Sequence, residues 1–309
     1  MARSAKICRG SWCMGFGFDP PASLEQVAKV LSAFDYDGIE LAGFFDHATL
    51  EKYPDTESRK KLASWLRDEL DLEIVAYSPG PYGDFGRMQW ATGSPDVLAE
   101  YKDFFDAHLQ FCIDCEIPSM RVDPGDFGPL PRDADVDKAW DRVVTTFRDH
   151  AEKGRDYGVT MMYELESGQI FVKPSEAIKL MDDVDNDNLK LIYDVGHIEA
   201  VCVLAHNQVQ PFEKVEGGQV EYVKQLGNRI GHVHLCDTDS NTWQNAFGTH
   251  LGIGKGVIDM DELVPALADA YEGEWWSVDA IPMTTDSWTD TWDDKITLEQ
   301  LLDKYVRSS

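Results

Sequence analysis

The chain has 309 residues, 43% of them hydrophobic, enough for a sizeable core in two small domains or one large α/β barrel. Asp and Glu number 56 against 28 Lys and Arg, and the resulting formal charge of -28 repels polyphosphate backbones and anionic membranes, which argues against a nucleic-acid or membrane partner. No stretch approaches the roughly 20 apolar residues of a membrane span, and the opening MARSAKICRGSW lacks the apolar run of a secretory signal, so the expected compartment is the cytoplasm.

Lys6 to Trp12 form an apolar-leaning segment that ends in the glycine-rich turn GFGFDPPAS. Ser23 opens a helix with Gln26 as capping-box partner, and Val27, Val30, Leu31 and Phe34 supply its apolar stripe. Asp37 to Leu41 reads as a second strand carrying Glu40, a helix follows from about Glu57 to Leu70, and Leu72 to Tyr77 is a third strand. Ser78 to Gly93 is a long Gly/Pro loop with Tyr82, Phe85 and Trp90. Ser94-Pro95 then starts a helix running to about Cys115. Within it Cys112-Ile-Asp-Cys115 matches C-x-x-C with His108 one turn upstream, but no second pair accompanies it. The six cysteines, Cys8, Cys13, Cys112, Cys115, Cys202 and Cys236, are expected to be reduced thiols, several of them buried.

Ser119 to Val122 is the fourth strand, a helix spans about Val136 to Tyr157, and Val159 to Tyr163 is the fifth strand, ending Glu164-Leu165-Glu166. Lys173-Pro174-Ser175 opens a helix to about Asp183, and Leu191-Ile192-Tyr193 is a sixth strand that delivers Asp194 and then His197. A helix from about Gln219 to Leu226 precedes the seventh strand, Ile230 to Leu235, with His232 and His234; a bulge at the rim is expected to turn these two apart. Asp259 to Tyr271 is a helix, Trp275 to Val278 the eighth strand ending at Asp279, and a last helix runs from about Ile296 to Tyr305 behind an acidic loop bearing Trp288 and Trp292.

Eight strands alternating with helices, with no break in composition, predict one (β/α)8 barrel over residues 1–309 with a C-terminal helical extension. In such barrels the C-terminal strand ends carry the site. Here Glu164, Asp194, His234 and Asp279 come from four successive strands and would converge as three carboxylates and an imidazole, a donor set suited to Mn²⁺, Mg²⁺, Co²⁺ or Zn²⁺ with positions left open. The segment Gly252-Ile-Gly-Lys-Gly256 lacks phosphate-fingerprint spacing and reads as a flexible loop.

The motifs Gly158-Val-Thr-Met-Met-Tyr-Glu164, Asp194-Val-Gly-His197, His232-Val-His234-Leu-Cys-Asp237, Leu251-Gly-Ile-Gly-Lys-Gly256 and Trp276-Ser-Val-Asp279 resemble, in order and spacing, the sugar phosphate isomerase/epimerase superfamily of xylose isomerase-like barrels. Its members include ketose 3-epimerases, hydroxypyruvate isomerases, inosose dehydratases and the endonuclease IV group. The resemblance implies metal ligands at Glu164, Asp194, His234 and Asp279, with Mn²⁺ the first choice, and a substrate-contacting His197; Glu166, Asp237, His250 and Lys255 are further candidates to line the pocket. The epimerases resembled carry glutamate where this chain has Asp279, one methylene shorter.

The implied chemistry is removal of a proton next to a metal-bound carbonyl, with Glu164 as first base and Asp279 or Glu166 as second. Returning the proton to the other face gives epimerisation, and to the neighbouring carbon isomerisation; loss of a β-substituent makes the protein a lyase. A barrel reduced to a binding subunit and an endonuclease IV-like nuclease are the alternatives, the latter opposed by the acidic charge. A carbohydrate substrate is expected, neutral rather than phosphorylated because no Arg/Lys cluster marks the rim, with Tyr82, Phe85 and Trp90 as aromatic surface for it. A homo- or hetero-oligomer is left open.

Overall fold

The computed structural model describes residues 3–16, 20–80, 90–125, 130–243, 247–281 and 287–307. The short apolar runs pair as parallel strands and close on themselves. Around the barrel the strands are β1 (Lys6–Gly10), β10 (Trp275–Val278), β7 (Ile230–Leu235), β6 (Leu189–Asp194), β5 (Thr160–Glu164), β4 (Ser119–Val122), β3 (Glu73–Ser78) and β2 (Gly38–Ala42), which returns to β1. Closure leaves no free sheet edge, and parallel pairing requires the helical crossovers that the alternation foretold. A two-stranded antiparallel ribbon, β8 (Thr242–Trp243) with β9 (Phe247–Gly248), stands outside the barrel wall.

The helices in chain order are α1 (Cys13–Phe16), α2 (Leu24–Ala33), α3 (Thr56–Ser64), α4 (Pro95–Cys115), α5 (Val136–Asp156), α6 (Pro174–Val184), α7 (Val195–Ile198), α8 (Gly218–Leu226), α9 (Met260–Ala270) and α10 (Ser287–Leu302). The capping box on α2 is complete, and Ser94 caps α4 ahead of Pro95 at its first turn. The six cysteines are buried and free; Cys115 donates to the Arg59 carbonyl and His108 meets the Tyr77 hydroxyl at 2.8 Å, so the C-x-x-C segment packs a helix. No helix among the described residues is long and apolar enough to cross a membrane.

Two expectations about these elements differ from the structure. The last helix begins at Ser287 rather than near Ile296, because its first turns bury a polar face: Thr291 bonds back to Ser287, while Asp294 accepts from the Ile253 amide and pairs with Arg9. Trp292 on this helix meets Phe34 edge-on at 5.2 Å, beside α2. Trp90 is not sugar-facing surface but core, stacked on Tyr101 at 4.6 Å; Tyr82 and Phe85 lie outside the described residues.

Candidate metal centre

Alternation along the strands sends every second side chain into the barrel, and four ends place ionisable groups there: Glu164 closes β5, Asp194 closes β6, His234 lies near the end of β7 and Asp279 follows β10. All four are buried, and one ligand atom from each lies within 4.8 Å of the others. His234 Nδ1 is 3.2 Å from Glu164 Oε1, 3.5 Å from Asp279 Oδ2 and 3.8 Å from Asp194 Oδ2.

The second polar atom of each group is tied off elsewhere. Asp194 is also the N-cap of α7, so its Oδ1 accepts from the His197 amide at 2.8 Å, and His250 Nε2 reaches the same oxygen at 3.2 Å. Asp279 Oδ1 accepts from Trp12 Nε1 at 2.7 Å and from the Cys13 thiol at 3.0 Å. Gly10 makes that approach possible, since a Cβ there would stand 2.4 Å from the Trp12 ring. Glu164 Oε2 is ion-paired with Arg121, and His234 Nε2 meets Glu40 Oε2 at 3.2 Å. One atom of each residue therefore faces a common point.

The charges follow from this arrangement. Burial opposes ionisation of Glu164, but Arg121 and His234 outweigh it and hold the carboxyl low; burial is likewise outweighed at Asp279 by His234 and His250. Burial also opposes protonation of His234, yet Glu40, Asp279 and Glu164 together hold it well above the ordinary histidine range. Carboxylates crowded into a space closed to water call for a compensating cation. Asp194 Oδ2 adds a sharper indication: it is a buried carboxylate oxygen with no hydrogen-bond partner. Three hard oxygens and one imidazole nitrogen fit a divalent ion of the Mn²⁺, Mg²⁺, Co²⁺ or Zn²⁺ group, and no thiolate stands among them.

Beside this centre lie His197, Glu166 and His250. The His197 ring meets His250 edge-on at 4.6 Å, its Nε2 is 4.0 Å from Glu166 Oε1, and its buried Nδ1 has no partner. Burial pulls His197 down to about 4, whereas at His250 Asp194 and Asp279 overcome burial and raise the imidazole to about 10. Glu166 is pushed up to about 7 by burial, with Arg121 opposing and Glu164 and Asp123 adding to the rise. Its Oε2 accepts from Arg121 at 2.6 Å and from Gln169 at 2.9 Å.

Asp237 is placed differently. Its Oδ1 accepts from the Thr238 and Ile258 amides, which folds the following loop, and among the described contacts none joins it to the four converging groups. Lys255 pairs with Asp290 on the exposed side of the same loop. His232 does not turn away from His234. The β6–β7 register shifts between Leu191 and Ile192, so that Gly231 is the extra residue, and beyond it both histidines face inward onto Glu40. A Cβ at position 231 would lie 2.3 Å from Lys190 Cβ, which keeps the bulge a glycine.

Arg121, Trp12 and Cys13 were not singled out from the sequence. For Arg121 a signal was present, a charged residue inside a four-residue buried strand; for the other two nothing local distinguished them.

Fold and centre together define a closed eight-stranded parallel barrel with a carboxylate–imidazole cluster at the C-terminal rim. The family described as Xylose isomerase-like TIM barrel matches residues 28–297, and the chain belongs to it. Among curated proteins it is similar to the inosose dehydratase of Lacticaseibacillus casei, with 21% identity over 79% of this chain and 80% of that one. Among solved structures it superposes on L-ribulose 3-epimerase with a TM-score of 0.74 and 18% identity, covering 98% and 96% of the two chains. It also superposes on the IOLI protein with a binding zinc atom, with a TM-score of 0.70 and 17% identity over 97% and 99%.

Proposed function

We propose that the chain is a divalent-metal-dependent enzyme that removes a proton beside the carbonyl of a sugar or keto-sugar. The observation that carries this reading is the convergence of Glu164, Asp194, His234 and Asp279, with Asp194 Oδ2 left without a donor. These four would hold the ion, Mn²⁺ being the first choice. Bound there, a divalent cation supplies Lewis-acid polarisation of a carbonyl and stabilises the negative charge that develops as the proton leaves.

The proton itself is work for side chains with an uncommitted atom. Glu164 Oε2 is engaged by Arg121 and Asp279 Oδ1 by Trp12 and Cys13, which suits both to ligation and leaves neither a free oxygen for a base. Glu166 keeps Oε1 free of any short contact, beside the neutral His197, and burial sets its carboxyl where it exchanges a proton near pH 7. We therefore assign proton transfer to Glu166 Oε1, in preference to Glu164 and Asp279, and substrate hydroxyl binding to His197.

The tether on Asp279 disfavours one exit among three. Epimerisation delivers a proton to the face opposite the one it left and is served by two groups, whereas isomerisation and elimination run with one. Elimination from a keto-inositol or 3-keto-glycoside, or aldose–ketose isomerisation, is accordingly preferred to epimerisation. The test is turnover in D₂O across ketoses, keto-inositols and 3-keto-glycosides, with metal content measured in parallel. Deuterium at the carbon beside the carbonyl, dependent on added Mn²⁺, is expected; turnover without any exchange, or activity indifferent to metal removal, refutes the proposal.

A further inference from the structure

Below the four converging groups the barrel holds a second polar layer that the proposed reaction does not use. Glu40 on β2 is 1% exposed, and both its oxygens are spent on histidines of β7: Oε1 lies 3.1 Å from His232 Nε2 and Oε2 lies 3.2 Å from His234 Nε2. Cys8 Sγ on β1 approaches Oε1 at 3.7 Å, and burial together with the Glu40 charge pushes that thiol far up, so it stays protonated and donates. The two imidazoles meet edge-on at 5.2 Å. An ionised carboxylate has no hydrogen to give, so each contact to Glu40 needs an N–H or S–H from the partner. Nδ1 likewise stands 3.2 Å from Glu164 Oε1, so without an ion both nitrogens carry hydrogen; were a cation to take Nδ1, the one remaining proton would be that on Nε2, which Glu40 accepts.

We infer that Glu40 is a positioning residue for the metal centre: it holds His234 in the tautomer and orientation that make Nδ1 a ligand, and Cys8 and His232 hold Glu40. The inference rests on the metal-dependent reading above. Carboxylates that accept from the far nitrogen of a ligating histidine orient the ring and raise its basicity, and their loss typically lowers metal affinity by about 10–100-fold. Cys8, Glu40 and His232 also bring ligand atoms within 4.8 Å of one another, so a second cation among these three is the competing assignment.

Glu40→Gln is the informative change because it keeps the shape and alters the donors. A carboxylate accepts from both imidazoles; an amide accepts from one and donates to the other, which must then present a bare Nε2 and carry its proton on Nδ1. When that imidazole is His234, the ligand atom is blocked.

The experiment measures Zn²⁺ affinity by competition with a chromophoric chelator, and ions bound per chain, for the full-length protein, E40Q and C8A, with metal-free melting curves for each. Two-bond ¹H–¹⁵N spectra of the zinc-loaded wild-type protein report which nitrogen of His234 carries the proton. One ion per chain in the wild-type protein and in C8A is expected, with affinity in E40Q lower by about 10–100-fold and His234 protonated at Nε2. Unchanged affinity in a folded E40Q, two ions of which C8A loses one, or metallation of His234 at Nε2 overturns the inference while leaving the metal-dependent reading standing. A wild-type protein that binds no divalent ion overturns both. Should E40Q fail to fold, the wild-type spectrum decides alone.

Discussion

Asp194→Asn tests the centre most directly. The amide still accepts at the position of Oδ1, where the His197 amide and His250 stand at 2.8 and 3.2 Å, so the cap of α7 survives. What changes is Oδ2, which becomes an N–H₂ facing the common point. In the metal-free protein the charge removed had two like neighbours within 4.8 Å, Glu164 and Asp279, and two cationic ones, His234 at 3.8 Å and His250 at 3.2 Å. With an effective dielectric of about 20, the repulsions come to about 3.5 kcal/mol each and the attractions to about 4 and 5 kcal/mol. The lost terms nearly cancel, so metal-free stability is expected to shift by only about 2 kcal/mol or less. The metal-dependent part does not cancel. At a free ion concentration of 100 times Kd a bound metal stabilises the wild-type fold by about 2.7 kcal/mol. For 309 residues the unfolding entropy of about 0.65 kcal/mol/K turns this into a rise in Tm of about 4 °C. Melting curves with and without Mn²⁺ should show this rise in the wild-type protein and none in D194N at the same ion concentration. An equal rise in the variant would show that Asp194 is not a ligand and would remove the basis of the proposed centre.

Arg121→Gln leaves Glu164, Glu166 and Asp123 without their shared cation, and since the side chain is one-fifth exposed the cost is put at about 2–4 kcal/mol, read from urea unfolding; a loss below about 1 kcal/mol contradicts it. Trp12→Phe removes one of two donors to Asp279 Oδ1, for which about 1.5–3 kcal/mol and a weaker Mn²⁺ affinity are expected; identical affinity by chelator competition refutes the tether. Asp279→Glu adds a methylene to a carboxylate already fixed at 2.7 and 3.0 Å on one side, so metal affinity should fall rather than rise, and a variant that gains epimerisation in D₂O would show that the tether yields. His150, sandwiched on Phe105 at 3.5 Å with neither ring nitrogen bonded, is held well below the ordinary histidine range by burial. A base with a depressed folded pKa contributes stability present above the unfolded value of about 6.5 and lost as pH falls below it, at up to about 1.4 kcal/mol per pH unit. His150→Phe should therefore gain on the wild-type protein between pH 6.5 and 5, and parallel stability curves across that range would refute the assignment.

The barrel and the four converging residues were legible because both follow local rules. Short apolar runs separated by capped helices give the alternation, and a charged residue placed immediately after such a run, as at Glu164, Asp194 and Asp279, stands at a strand end whatever its partners are. What escaped detection depends on partners distant in the chain. The inward turn of His232 is decided by Gly231 bulging against β6, which β7 alone does not announce. The early start of α10 escaped because its buried face is polar, and a search for apolar periodicity passes over Thr291 and Asp294. The bonding of Asp237 is equally hidden: the amides of Thr238 and Ile258 take its Oδ1, while its buried Oδ2 has no hydrogen-bond partner.

The two halves of the barrel divide the work at the centre. Strands β5, β6, β7 and β10 supply the atoms that converge, while the groups that tie off their second atoms come mostly from the other half: Glu40 from β2, Arg121 from β4, Trp12 from the turn after β1 and Cys13 from the start of α1. A carboxylate with one oxygen bonded outward has a single orientation left for the other, so the ties convert four flexible side chains into one preorganised set. Substitutions on β1, β2 and β4 should thus act on the centre through orientation, without removing any of the converging atoms. Asp279 shows why this matters for the chemistry. On the proposed reading, the two donors that fix its Oδ1 leave Oδ2 to the ion and withhold a second role from Asp279, so proton transfer is assigned to Glu166, which Arg121 also binds.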